Sequence, residues 1–105
     1  MSIIKEVSTP TWEVELKSGL VLVLFSAPWC ESCKVQEAIL RESLKNCDNC
    51  ITVLKLNSDD NRWLSQKLGV RNIPMLIKYE NGVEVKRYSN MLSKEIIEKE
   101  ININK

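Results

Sequence analysis

The sequence contains no histidine. That absence excludes Ser-His and Cys-His nucleophile pairs, and with them His-ligated zinc or haem. It leaves the four cysteines as the leading candidates for chemistry near neutral pH. Long apolar runs are lacking too. The longest, Leu20 to Phe25, has six residues, against the about 20 a bilayer requires. No membrane association is expected. A surplus of one charge is also missing. Basic and acidic residues number 15 and 14, and they are intermixed. No basic stripe is available to neutralise phosphates, so nucleic acid is not an expected partner. Met1 to Glu6 lack a basic region followed by a long apolar run, so a cytoplasmic location is the expectation. Glycine and proline are sparse, three of each, and mostly stand where elements end.

What is present reads as one folded domain over residues 1–105. Ile3 to Val7 predicts a short strand. Thr9 reads as the N-cap of a helix with Pro10 in its first turn, Trp12 and Leu16 on its apolar side and Gly19 after its end. Leu20 to Phe25 does not alternate, which fits a central strand covered on both faces. A helix is expected from about Cys30 to Lys45, with Val35, Ala38, Ile39 and Leu44 as its apolar set. Ile51 to Leu56 predicts another strand, and Asn61 to Leu68 a short helix carrying Trp63, Leu64 and Leu68. Met75 to Tyr79 and Val83 to Tyr88 flank Asn81-Gly82, a strong hairpin signal. Ser93 opens a last helix with Ile96, Ile97 and Ile101 inward. The order is β-α-β-α-β-α-β-β-α. It implies an α/β domain with about five strands and about four helices on both faces of the sheet.

Cys30-Glu31-Ser32-Cys33 follows the apolar strand and opens the second helix. Two intervening residues at a helix start let both sulfurs reach disulfide distance. Unpaired N–H groups and the positive end of the helix dipole favour a thiolate at the first position. The thiolate is the nucleophile, and such surroundings lower a thiol from its free value of about 8.5. Cys33, one turn in and less exposed, could attack the resulting mixed disulfide and release the substrate. Glu31 opposes a thiolate at Cys30, whereas Lys34 supports it. The plainer reading is two structural thiols, but the strand before the motif and Trp29 beside it favour redox chemistry.

Phe25-Ser26-Ala27-Pro28-Trp29-Cys30-Glu31-Ser32-Cys33-Lys34 resembles the active-site stretch of thioredoxins, and the resemblance covers nearly the whole chain. Ile73-Pro74-Met75 falls where that family carries its cis-proline. The resemblance implies a thioredoxin fold, with a mixed central sheet, and the activity of a protein disulfide oxidoreductase. It makes Cys30 and Cys33 the catalytic pair. It also implies substrate contacts at Trp29, Ile73, Pro74 and Asn90, and places Lys55 near the buried side of the sulfurs. The implied partners are oxidised proteins, with thioredoxin reductase or a related flavoprotein as electron donor. No bound cofactor is needed, and a monomer is expected.

Several residues depart from the family pattern. Leu24 stands where thioredoxins usually hold a buried aspartate that is thought to move the proton of the second cysteine, so water or another group must serve. Ser26 replaces a common aromatic, and Glu31-Ser32 the usual Gly-Pro. Glu37-Ala38 lacks the helix-kinking proline, and Asn90 occupies the place of a glycine. Two alternatives follow. One is a binding module that uses the same groove without turnover. The other is glutathione-linked exchange, disfavoured because the Pro-Tyr motif interior of glutaredoxins is missing.

Cys47-Asp48-Asn49-Cys50 is a second C-x-x-C. A zinc site shared by both pairs is opposed by geometry. The 13 intervening residues, Lys34 to Asn46, have helical character and would hold the pairs roughly 20 Å apart, whereas zinc–sulfur bonds are about 2.3 Å. No metal is expected. The second pair reads as inert thiols, as a local disulfide or as an auxiliary redox pair, with the inert reading favoured in a reducing compartment. Trp12 and Trp63 read as helix core residues. Trp29, on a loop beside the cysteines, reads as a binding residue.

Overall fold

The computed structural model describes residues 4–17, 19–45 and 51–100. Cys47, Cys50 and Ile101 lie outside the described residues. Strand β1 is Ile4–Val7, helix α1 Thr9–Leu16 and strand β2 Leu20–Ser26. Helix α2 is Glu31–Ser43, β3 Thr52–Asn57 and α3 Arg62–Lys67. The hairpin strands β4 and β5 are Met75–Glu80 and Val83–Tyr88, and α4 is Lys94–Glu100. The five strands form one mixed sheet in the order β1-β3-β2-β4-β5. β1 and β2 run parallel to β3, whereas β4 is antiparallel to both β2 and β5. This is the expected element order.

The unbroken apolar run of β2 follows from its place at the centre of the sheet. Val21, Val23 and Phe25 join Trp12 and Leu16 of α1 and Leu64 of α3 on one face. Leu22 and Leu24 join Leu40 of α2, Leu44 at its C-cap and Ile97 of α4 on the other. Both sides of β2 are therefore sealed from water, and burial of this kind drives folding. Trp12 also packs edge-on against Tyr79 of β4, with ring centroids 5.8 Å apart.

The turns obey local chemistry. Asn81 and Gly82 both adopt positive φ, 51° and 86°, as a two-residue hairpin turn requires. Gly19, at φ 79°, redirects the chain from α1 into β2. Its N–H donates to Asn81 Oδ1 at 2.8 Å, and its carbonyl accepts from the Asn81 N–H at 2.9 Å.

Four expectations need correction. The N-cap of α1 is Ser8, not Thr9. The backbone N–H of Thr9 instead donates to Asn61 Oδ1 at 2.8 Å, a partner distant in sequence. The inward face of α2 is Cys33, Gln36, Leu40 and Ser43, while Val35 and Ala38 are exposed. Apolar identity misled here, because Gln36 and Ser43 are buried by satisfying their polar atoms internally. Trp63 is 66% exposed rather than core, and Lys67 sits over its ring at 4.8 Å. Ile96 also faces outward, with Ile97 taking the core position of α4.

Helix α4 is tied to the hairpin through Glu100. Its carboxylate accepts from Tyr88 Oη at 2.6 Å and from Lys86 and Lys78 at 3.3 and 3.4 Å. The Tyr88 hydrogen bond, assisted by the two ammonium groups, holds this carboxyl below its ordinary 4.5. A paired Arg87 does the same for Glu84 on β5. Both carboxyls therefore bind protons more weakly in the folded chain than in the unfolded one. Their stabilisation is complete above the unfolded carboxyl range and is lost as pH falls through the folded values. Urea midpoints measured against pH are expected to decline on acidification below about 4.5, and less steeply in Glu100→Gln.

Candidate active site

Strand β2 ends at Ser26 beside the start of β4, with Phe25 in register with Met75. This pairing carries the segment before Met75 to the mouth of α2. Ala27-Pro28-Trp29 turns the chain, and Cys30 becomes the N-cap of α2 with extended backbone, φ −90° and ψ 107°. Its Sγ accepts from the Cys33 N–H at 3.2 Å. The sulfur thus occupies the position that a serine or aspartate oxygen often fills at a helix start. Cys30 and Cys33 form a disulfide, with Cα atoms 5.2 Å apart. Cys30 is 6% exposed and Cys33 2%. Cys33 is the less exposed of the two, as expected, although in the disulfide state both are largely covered.

Ala27, Cys30 and Cys33 form a small apolar cluster, and Ile73 packs against it. The Ile73–Pro74 peptide bond is cis. Trp29 stands out from the surface, 66% exposed, and its indole N–H donates to Asp59 Oδ2 at 2.7 Å. Asp59 is set in turn by Asn57, whose Oδ1 accepts from the backbone N–H groups of Asp59 and Asp60 at 2.8 and 3.1 Å. Asn90 lies exposed in the connection between β5 and α4. Two residues on, Leu92 is clamped to α2. Its N–H donates to Gln36 Oε1 at 2.8 Å, and its carbonyl accepts from Gln36 Nε2 at 3.1 Å.

The charged residues beside the motif do not act singly. Glu31 and Lys34 approach each other to 3.5 Å on the exposed first turn of α2, so each offsets part of the other's charge beside the motif. Lys55 shares its register position with Leu24 of β2 and so lies on the sheet face that α2 covers. There its Nζ is 2.9 Å from Glu37 Oε1. The other Glu37 oxygen accepts from Arg41 at 2.7 Å. Burial pushes the Glu37 carboxyl up, but hydrogen bonds and charge from Lys55 and Arg41 outweigh it and hold the group below its ordinary value. A cleft of about 250 Å³ opens here, lined by Cys33, Glu37, Lys55, Glu6, Ser26 and Asn57, among others.

Sequence reasoning missed Asp59, Gln36 and Glu37 as parts of the site. Each acts through a partner far along the chain. The only local signal is spacing: Glu37 stands four residues after Cys33, hence on the same side of the helix.

A cysteine pair at disulfide distance at a helix start, behind a central strand, is the arrangement of a thiol-disulfide oxidoreductase. The thioredoxin family model matches residues 3–103. The chain is 34% identical over 99 residues to thioredoxin of Chlamydia caviae, covering 94% of this chain and 96% of that one. It is 41% identical over 71 residues to thioredoxin of Rickettsia bellii, covering 67% and 68%. In fold, it is similar to a mutant thioredoxin from Halobacterium salinarum. The TM-score is 0.79 at 24% identity, over 96% of this chain and 88% of the other. The chain belongs to the thioredoxin family, and its activity is that of a protein disulfide oxidoreductase.

Proposed function

We propose that this protein reduces disulfides in oxidised client proteins, with Cys30 as the attacking thiolate and Cys33 as the resolving thiol. The observation that carries this reading is the Cys30–Cys33 disulfide at the start of α2 with Ile73 packed against it. In the reduced protein, Cys30 attacks one client sulfur, and the other leaves as a thiol. Cys33 then attacks Cys30, freeing the second client thiol and regenerating the disulfide. Two electrons pass from the protein to the client in each cycle.

Ile73 and Pro74 form one wall of the client groove and present backbone to an extended segment. The exposed Trp29 indole, braced by Asp59, supplies an apolar edge, and the exposed Asn90 is assigned a further contact to the client. Residues 1–105 act as one domain and as a monomer. The working location is the cytoplasm. Among the described residues, no helix is long and apolar enough to cross a membrane.

Thioredoxins as a family work with a reductase and protein substrates, and the donor proposed here is a flavin-dependent thioredoxin reductase fed by NADPH. The test follows NADPH oxidation with insulin as client. Rapid oxidation is expected with thioredoxin reductase, and little with glutathione and glutathione reductase. The reverse pattern would reassign the donor to glutathione. Binding of insulin without NADPH use in either arm would favour the non-catalytic module.

A further inference from the structure

Resolution of a mixed disulfide requires Cys33 as a thiolate, so its proton must go somewhere. Cys33 is almost wholly enclosed, and its opening is the cleft it shares with Glu37 and Lys55. The charged groups facing that cleft are Lys34 and Glu37 from α2, Lys55 from β3 and Glu6 from β1. Lys34 is engaged with Glu31. Glu6 sits on the exposed edge strand. Glu37 is different. It follows Cys33 by four residues on one helix, so the two side chains are neighbours on the same face. Its carboxylate is fixed by Lys55 at 2.9 Å and Arg41 at 2.7 Å, and each oxygen keeps acceptor capacity for a further hydrogen bond. The strand position in register with Lys55 is the apolar Leu24, which can accept no proton.

We propose that Glu37 is the proton acceptor for Cys33, acting across the solvent of this cleft, with Lys55 and Arg41 as its positioning residues. The Cys33 thiol proton passes to the Glu37 carboxylate. The thiolate attacks Cys30 Sγ, the Cys30–Cys33 bond forms, and the bond from Cys30 to the client sulfur breaks. The client sulfur leaves with that electron pair and takes a proton from solvent. Glu37 returns its proton to solvent afterwards. Lys55 and Arg41 keep the carboxyl ionised through the neutral range, so it is always ready to accept. They also make it a weak base. Transfer is uphill, and the proton is held only while the new sulfur–sulfur bond forms.

This inference rests on Cys33 being the resolving thiol, and one experiment tests the two separately. Reduced protein carrying Cys47→Ser and Cys50→Ser is mixed with excess dithiobis(nitrobenzoate) in a stopped-flow instrument over a range of pH. The first release of thionitrobenzoate reports attack by Cys30, and the second, concentration-independent release reports resolution by Cys33. In Glu37→Gln the first phase is expected unchanged. The second is expected to slow about tenfold or more near neutral pH, less than the about 10²–10⁴-fold of a well-matched general base because the paired carboxylate is a weak one. It should converge on the parent in alkali, where the thiol ionises unaided, and Glu37→Asp should recover part of the loss. A second phase that superimposes on the parent at every pH, falls by one factor throughout, or quickens on removal of the negative charge would overturn the role of Glu37. Absence of the concentration-independent phase in the parent would overturn instead the assignment of Cys33.

Discussion

Cys30→Ser is expected to abolish insulin reduction, leaving only the background rate of dithiothreitol itself. Serine retains nearly the shape of cysteine and is a favoured N-cap residue. Its oxygen can accept the Cys33 N–H that Cys30 Sγ accepts at 3.2 Å. The start of α2 is therefore preserved. The lost disulfide closes a loop with a sequence separation of only three, and such short loops hold little closure entropy. Thermal stability should stay close to that of the reduced parent. Chemistry, by contrast, has no substitute, because a hydroxyl cannot form the mixed disulfide. The companion variant Cys33→Ser keeps the first step and loses the second, so a one-to-one mixed disulfide with the client should accumulate and be visible by mass spectrometry. Parent-like turnover by Cys30→Ser would refute the assignment of that sulfur.

The largest structural effect is expected at Leu24. The side chain is fully buried on the sheet face beneath α2, in the cluster that holds Leu40, Leu44 and Leu76. Leu24→Asp removes that apolar packing and brings a carboxyl into the same layer. Loss of a buried leucine alone costs about 2–5 kcal/mol, and an incompletely satisfied carboxyl adds to it. Lys55 lies beside the site, but it is already paired with Glu37, so a new carboxylate must compete for it. A drop of about 4 kcal/mol in unfolding free energy is expected by urea titration. A drop below about 1 kcal/mol would mean that this layer readily hosts a second carboxylate between β2 and α2.

Much of the architecture was legible because it is written in short-range chemistry. The unbroken β2 run, the Asn81-Gly82 turn and the C-x-x-C pair at a helix start each determine structure within a few residues. The errors have a common cause. Val35 and Ala38 looked inward by composition, yet Gln36 holds the buried position because Leu92, 56 residues away, satisfies both ends of its amide. Trp63 reads as core by side-chain type, but Leu64 and Ser65 supply the inward face of that short helix. Ser8 displaced Thr9 as the cap because Thr9 is claimed by Asn61 from across the fold. In the site, resemblance drew attention to Lys55 but could not supply its partner. Glu37 stood out only as part of a missing proline motif, and its pairing depends on how β3 and α2 face one another.

The Gln36 amide has a further consequence. By holding Leu92 at both backbone atoms, it fastens the stretch after β5 to the very helix that carries the sulfurs. That stretch can therefore vary at its exposed positions, Ser89 to Met91, while the reactive centre keeps its geometry. Under the proposed role of Asn90 in client binding, choice of client would be rewritten at these exposed positions while the sulfur geometry stays anchored by Gln36.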